Sequence, residues 1–254
     1  MAPRPWNALP IRDCGEPLQA LPAQLHCLEP HPYQRLGAPY GVDASPFQVR
    51  SGVVQRLLAA QSALERRHPQ WCLAIFDGWR PLAVQAFMVE HTIAELCRVR
   101  GVDRAAREEG LAEIVAEVGR FWAPPNPDPA APPPHSTGAA VDLTLAERRD
   151  AGPPVGLDMG SAIDAIGAVS EPDHFAALAE ATSDPDLCDQ YRRWQERRCL
   201  LRSVLAEQGF AQHPNEWWHF SWGDQLWAWR QGKPEACYGR VDGELVAGRE
   251  DPLV

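Results

Sequence analysis

His135-Ser136-Thr137-Gly138-Ala139-Ala140-Val141-Asp142 and Glu216-Trp217-Trp218-His219 are the two stretches on which the fold turns. In the first, Ser-Thr-Gly forms a turn and the residues from Ala139 to Leu145 alternate as a strand. His135 therefore hangs from a loop while Asp142 points from the strand that follows. In the second, a spacing of three sets Glu216 and His219 on one side of a single turn. A catalytic zinc ion takes three protein ligands and keeps a fourth position for water. His135, Asp142 and His219 are candidates for the three, and Glu216 lies close enough in sequence to His219 to act on that water. Plainer readings stand beside these: a surface histidine with a capping aspartate, and an aromatic core segment holding a hydrogen-bonded histidine. The last is compatible with a metal site, since an apolar shell excludes water and strengthens electrostatics.

Outward from these stretches, Ala123-Pro-Pro-Asn-Pro-Asp-Pro-Ala-Ala-Pro-Pro-Pro134 is too rich in proline for a helix or a central strand. It runs straight into His135, which makes it a stiff extended wall that delivers a ligand. Upstream, Val53, Leu57, Leu58 and Leu64 recur at helical spacing over Gln48 to about Arg67, and Trp71 to Phe76 is a buried strand ended by Asp77-Gly78. Pro81 suits the first turn of a helix to about Arg98, and a further helix is expected from about Arg104 to Phe121. Downstream, 146–170 reads as loop, Asp189 to Gln208 as a long helix with Gly209 as its cap, and Trp218–Trp222 and Gln225–Trp229 as closing strands. Residues 1–49 form a proline-rich wrapping segment. Helices and strands mix without βαβ regularity, so the class is α+β, in a single domain over 1–254.

The 254 residues are 45% hydrophobic, enough for a substantial core, and the net charge is −10 with no basic stripe. That charge argues against nucleic acid as a partner. No signal peptide or membrane-length apolar run is present, and the seven cysteines are odd in number with no Cys-x-x-Cys. Reduced, mostly buried thiols in a cytoplasmic protein are expected. The oligomeric state is not readable.

Two more residues carry chemistry. Arg80, in Phe76-Asp77-Gly78-Trp79-Arg80-Pro81, stands at a strand end where an arginine stabilises a developing oxyanion or pairs structurally with Asp77. Asp164, in Met159-Gly-Ser-Ala-Ile-Asp164, is a carboxylate fit to hold an ammonium group or to cap a turn. His26, His31, His68, His91, His174 and His213 lack comparable context and read as surface or packing residues.

In this order, Phe-Asp-Gly-Trp-Arg-Pro, His-Ser-Thr-Gly-Ala-Ala-Val-Asp-Leu-Thr-Leu, Met-Gly-Ser-Ala-Ile-Asp and Asn-Glu-Trp-Trp-His-Phe resemble the VanX-like D-alanyl-D-alanine dipeptidases of peptidase family M15, over roughly residues 30–240. The resemblance implies a small mixed or antiparallel sheet flanked by helices, shared with zinc carboxypeptidases and the hedgehog signalling domain. It implies one Zn2+ on His135, Asp142 and His219, Glu216 as general base, Arg80 polarising the scissile carbonyl, and Asp164 and Tyr33 lining the dipeptide site. One position departs: a serine two residues before the first ligand in the better-known resistance enzymes is Pro133 here. A zinc D,D-carboxypeptidase acting on peptidoglycan stem peptides is the nearest rival, and a non-catalytic zinc-binding module a more distant one.

Overall fold

The computed structural model describes residues 4–41, 44–105 and 109–241. Expectations that touch 1–3, 42–43, 106–108 and 242–254 lie outside these residues. The elements in chain order are β1 (Leu18–Ala20), β2 (His26–Cys27), α1 (Pro32–Arg35), β3 (Gln48–Arg50), α2 (Ser51–Arg67), β4 (Trp71–Asp77), α3 (Leu82–Arg100), α4 (Glu109–Phe121), β5 (Ala140–Glu147), β6 (Val155–Gly156), α5 (His174–Ala181), α6 (Pro185–Ala206), β7 (Ala211–Gln212), β8 (His219–Ser221) and α7 (Gln225–Arg230). Short 3-10 turns cover Pro5–Ala8, Pro134–Thr137 and Ala168–Ser170.

The main sheet runs β2-β4-β5-β8-β7, with β6 on the other end of β5. Only β2 and β4 are parallel; the remaining pairs are antiparallel. The expected α+β class with a mixed sheet flanked by helices is what the chain adopts. Strand β5 is buried at every position but its last, so both of its faces are covered. Val141, Leu143 and Leu145 join Leu73, Ile75, Phe220, Trp217 and Trp218 in the larger core, closed by α2 and α6. Each large apolar side chain buried there contributes roughly 1.5–3 kcal/mol relative to exposure. The opposite face of β5 carries Asp142 and Ala146, beside Cys72 and Ala74 of β4. A second core joins α3 and α4 to Tyr33, Tyr40 and Trp122.

Several boundaries move. Gln48–Arg50 is a strand paired with β1, and α2 begins only at Ser51. The two-residue β6 lies where loop was expected, and helix α5 occupies the stretch between that loop and the expected long helix, which itself begins earlier, at Pro185. Gln225–Arg230 is a helix, not a closing strand: the Asp224 side chain accepts from Trp227 N at 2.8 Å, capping the first turn, and Leu226 and Ala228 turn inward. Tryptophan-rich composition suggested a strand; the cap overrode it. The cysteines are free, but only Cys72 and Cys97 are buried, fewer than expected, and Cys14 is exposed. Among the described residues, no helix is long and apolar enough to cross a membrane.

Candidate active site

Strand register assembles the floor of the site. Asp142 on β5 stands opposite His219 on β8, and opposite Asp77 on β4. The β4 pairing slips by one residue between Ile75 and Asp77. Such a bulge re-aims a side chain; without it Phe76, not Asp77, would face Asp142. Three polar side chains thus stand in a row across three strands, all buried.

His135 reaches this row from the 3-10 turn that ends the proline-rich segment. Gly138 leaves the turn at φ 69°, a left-handed conformation suited to glycine, and its carbonyl accepts from Arg50 N at 2.8 Å. Arg50 Nε donates to Thr137 O at 2.8 Å and Nη2 to Gly239 O at 2.9 Å, pinning the turn from below. His135 Nδ1 donates to Gly78 O at 2.7 Å. Gly78 is obligatory there: a Cβ would lie 2.8 Å from both the Pro46 and Gln48 carbonyl oxygens.

His135 Nε2, Asp142 and His219 Nδ1 converge. Nε2 lies 3.1 Å from Asp142 Oδ2 and 3.1 Å from His219 Nδ1, which is 3.1 Å from Asp142 Oδ1. Nδ1 of His135 donates to a carbonyl, which leaves its Nε2 with a free lone pair, and Nε2 of His219 lies 3.3 Å from the Ser221 hydroxyl, which can accept its proton and leave Nδ1 free as well. Asp142 Oδ1 is buried without a hydrogen bond. A tetrahedral ion about 2.0–2.1 Å from each donor sets donors about 3.3 Å apart. Ligand atoms of the three lie within 4.8 Å of one another, so the residues fit a metal ion. Burial works against the Asp142 charge, but the two histidines outweigh it and hold its carboxyl well below the usual range.

Glu216 is buried beside this cluster, with Oε2 3.7 Å from His219 Nδ1 and Oε1 3.6 Å from His213 Nδ1. Burial, then the charges of Asp142 and Asp164, push its carboxyl well above the ordinary value. Such a group takes up a proton readily.

Arg80 is buried and tightly held. Nε and Nη2 bind Asp77 Oδ2 at 2.8 and 2.6 Å, and Nη1 donates to Gln85 Oε1 at 2.9 Å. Nη2 also lies 3.4 Å from Asp142 Oδ2 and from the Tyr33 hydroxyl. The pairing with Asp77 therefore exists, and it aims the guanidinium at the cavity. Burial disfavours its charge, but Asp77, Tyr33 and Asp142 more than offset that.

Tyr33, Asp164 and the proline-rich loop form walls. Tyr33 donates to Asp164 Oδ2 at 2.6 Å. Asp164 has φ 65°, a conformation aspartate tolerates better than most residues. Burial, then Asp142, raises its carboxyl to about 7. The cavity has an empty volume of about 750 Å³ counting its open mouth. It is lined by His135, Asp142, Asp164, Glu216, His219 and Arg80, and by Ala123, Pro124, Asn126 and 131–134 of the loop. Tyr33 reaches it through Asp164 and Arg80. Sequence reasoning missed Asp77, Gln85, His213 and Arg4. Asp77 was visible as a turn residue and as a structural partner of Arg80, but not as a member of the polar row on the floor. His213 reads as a surface or packing residue whose nearness to Glu216 in sequence sets it apart, and it stands behind Glu216.

The D-Ala-D-Ala dipeptidase family of M15 peptidases matches residues 26–235. A D-alanyl-D-alanine dipeptidase from Synechocystis sp. is 44% identical over 247 residues, covering 94% of this chain and 97% of that protein. The crystal structure of a mutant vancomycin-resistance D,D-pentapeptidase, VanY, with Zn(II) overlaps 77% of this chain and 88% of its own at 16% identity, with a TM-score of 0.39. The family match spans most of the chain and the Synechocystis relative nearly all of it, so this chain belongs to the D-Ala-D-Ala dipeptidase family of M15 metallopeptidases and is a hydrolase.

Proposed function

We propose that this chain is a zinc dipeptidase that hydrolyses D-alanyl-D-alanine or a closely similar D-amino-acid dipeptide, as a single domain over 1–254. One observation carries the reading: three buried donors converge at one point with a buried, proton-hungry Glu216 beside them and Asp164 on the wall of the same cavity. His135, Asp142 and His219 hold the ion. When bound, it supplies a Lewis acid that acidifies water and withdraws charge from a carbonyl oxygen.

The chain's own residues do the rest. Glu216 takes a proton from the attacking water as the new C–O bond forms at the peptide carbonyl. Arg80, fixed by Asp77 and Gln85, sets its positive charge against the oxyanion that develops. Glu216 then returns the proton to the amide nitrogen as the C–N bond breaks, releasing two amino acids. Asp164, oriented by Tyr33, holds the ammonium group of the substrate. Proline at 133 offers no hydroxyl to that ammonium, which leaves the task to Asp164.

Asp164 at the amino end favours a dipeptide over a longer stem, whose chain would continue where the ammonium sits. With zinc-reconstituted protein, D-Ala-D-Ala should be cleaved with kcat/KM at least about tenfold above a pentapeptide ending in D-Ala-D-Ala. Equal or faster cleavage of the pentapeptide would establish a carboxypeptidase instead.

A further inference from the structure

The N-terminal segment brings a second arginine to the cavity. Arg4 lines it together with Trp6 and Asn7. The segment is anchored on three sides. Trp6 is buried, edge-on to His213 at 5.6 Å and packed on Trp229 at 5.5 Å. Gln225 Nε2 donates to Leu9 O at 2.6 Å and to Ala130 O of the proline-rich loop at 2.9 Å, tying strap and loop to α7.

Arg4 itself is held at the end of α4. Nη1 donates to Arg120 O at 3.1 Å and Nη2 to Gly119 O at 2.9 Å, both among the last carbonyls that a helix leaves open. The guanidinium also stands 5.7 Å from the Trp6 ring. A guanidinium has five N–H groups; those two bonds leave three without a protein acceptor among the described residues. No carboxylate among the described residues lies within ion-pair distance of it. Arg80 is more fully engaged: Nε and Nη2 bind Asp77, Nη1 donates to Gln85, and Nη2 also faces Asp142 and Tyr33, which leaves one Nη1 N–H without an acceptor among the described residues. Burial weakens the Arg4 charge and Glu216 partly restores it, which marks a cation only partly compensated by the protein.

A free dipeptide is a zwitterion. Asp164 answers its ammonium end, and in the described lining of the cavity Arg4 is the guanidinium with the most uncommitted donors for the other. We propose that Arg4 binds the substrate's terminal carboxylate, making the N-terminal strap a specificity element of the site. This rests on the dipeptidase reading above. Arg4 is a positioning residue here, acting on the end of the substrate away from the scissile carbonyl. The competing role is structural: a cap on the carbonyls of α4.

Two substrates separate these roles. D-Ala-D-Ala carries the carboxylate, and D-alanyl-D-alaninamide replaces it with a neutral amide. Arg4→Gln should raise KM for the dipeptide about 10- to 100-fold, in line with loss of a charge-assisted contact, and leave kcat within about threefold. KM for the amide should be the same in both proteins, and Arg4→Lys should recover part of the loss for the acid. Equal losses on acid and amide, or no loss on either, would overturn the assignment. The unaltered protein gives a second test that needs no variant: it should favour the acid over the amide by about tenfold or more in KM, and equal KM values overturn the proposal. Titrating D-Ala-D-Ala into zinc-loaded Glu216→Gln, with and without Arg4→Gln, should show the same loss in binding heat and affinity without turnover. If the unaltered protein cleaves neither compound, the dipeptidase reading itself fails. If it cleaves the dipeptide and Arg4→Gln behaves identically, only the role of Arg4 fails.

Discussion

On the floor of the cavity, Asp77, Asp142 and His219 stand side by side because three neighbouring strands are in register. In the walls, Arg4, Tyr33, Pro133 and Asp164 arrive from four separate segments, with β1–β6 and three long helices between them in sequence. The floor is fixed by backbone pairing that extends through the larger core. The walls are held by single side-chain contacts: Tyr33 to Asp164, Gln225 to the strap and the loop, Arg4 to the end of α4. A reaction needs its groups within a fraction of an ångström, which a sheet provides. Substrate choice needs only a few charges at the right ends, which loops supply and which can change without disturbing the chemistry.

Changes on the floor should therefore act on turnover and metal, and changes in the walls on substrate binding. The largest effect is expected from Glu216→Gln. Turnover should fall about 10²- to 10⁴-fold, the usual contribution of a positioned acid–base group, while the protein still holds one zinc per chain by elemental analysis. Retention of more than a tenth of kcat would remove Glu216 as the base. Arg80→Ala comes next. It should lower kcat about 10²-fold or more through the lost charge at the oxyanion. It should also destabilise the fold by about 3 kcal/mol, because Asp77 is left buried without its partner. A melting curve that drops by about 6–12 °C alongside the kinetic loss would show both roles. An unchanged kcat would leave Arg80 a purely structural residue.

Removing the ion is the third. The site puts a buried carboxylate oxygen with no hydrogen bond against two imidazole lone pairs. Zinc at about 100-fold over its Kd should stabilise the fold by about 2.7 kcal/mol. Calorimetry should then show an apo protein melting roughly 5–10 °C below the loaded one. Identical melting would mean that the three donors do not close on an ion.

The same contrast explains what the sequence reveals. The floor was legible because its residues cluster in short motifs: a histidine, a turn and an aspartate in one stretch, a glutamate and a histidine in another. Even so, alternation along β5 could not show that Asp77 faces Asp142, because the β4 bulge that turns it there leaves no signature in Trp-Cys-Leu-Ala-Ile-Phe-Asp. The walls were legible only in part. The proline-rich loop announced itself by composition, but Arg4 looked like any arginine in a wrapping segment. Its position depends on the N-terminal segment packing on α7 while Arg4 reaches the end of α4, a tertiary fact. Helix α7 was misread for a related reason: its tryptophans and leucine satisfy strand and helix patterns alike, and the decision rests with the Asp224 cap.

The smallest effect, and the one that tests the walls most directly, is at Asp164. Burial and the charge of Asp142 raise its carboxyl to about 7, so at lower pH the free protein carries it protonated. Only the ionised form pairs with a substrate ammonium. KM for D-Ala-D-Ala should therefore rise as pH falls through the midpoint of this carboxyl, and level off at higher pH, where the carboxylate is already charged. A bound divalent cation favours the ionised form, so zinc should move this midpoint downward. Asp164→Asn should raise KM about tenfold at pH 8, the loss of roughly one exposed-end charge contact, and should flatten the pH dependence of KM. It should leave kcat nearly unchanged, because no bond to the reacting carbonyl is lost. The Tyr33 hydroxyl, which now donates to Asp164, still finds an acceptor in the asparagine carbonyl, so the wall keeps its shape and the test reads charge alone. A fall in kcat with KM untouched would shift Asp164 from the wall to the floor and end the division of labour between them.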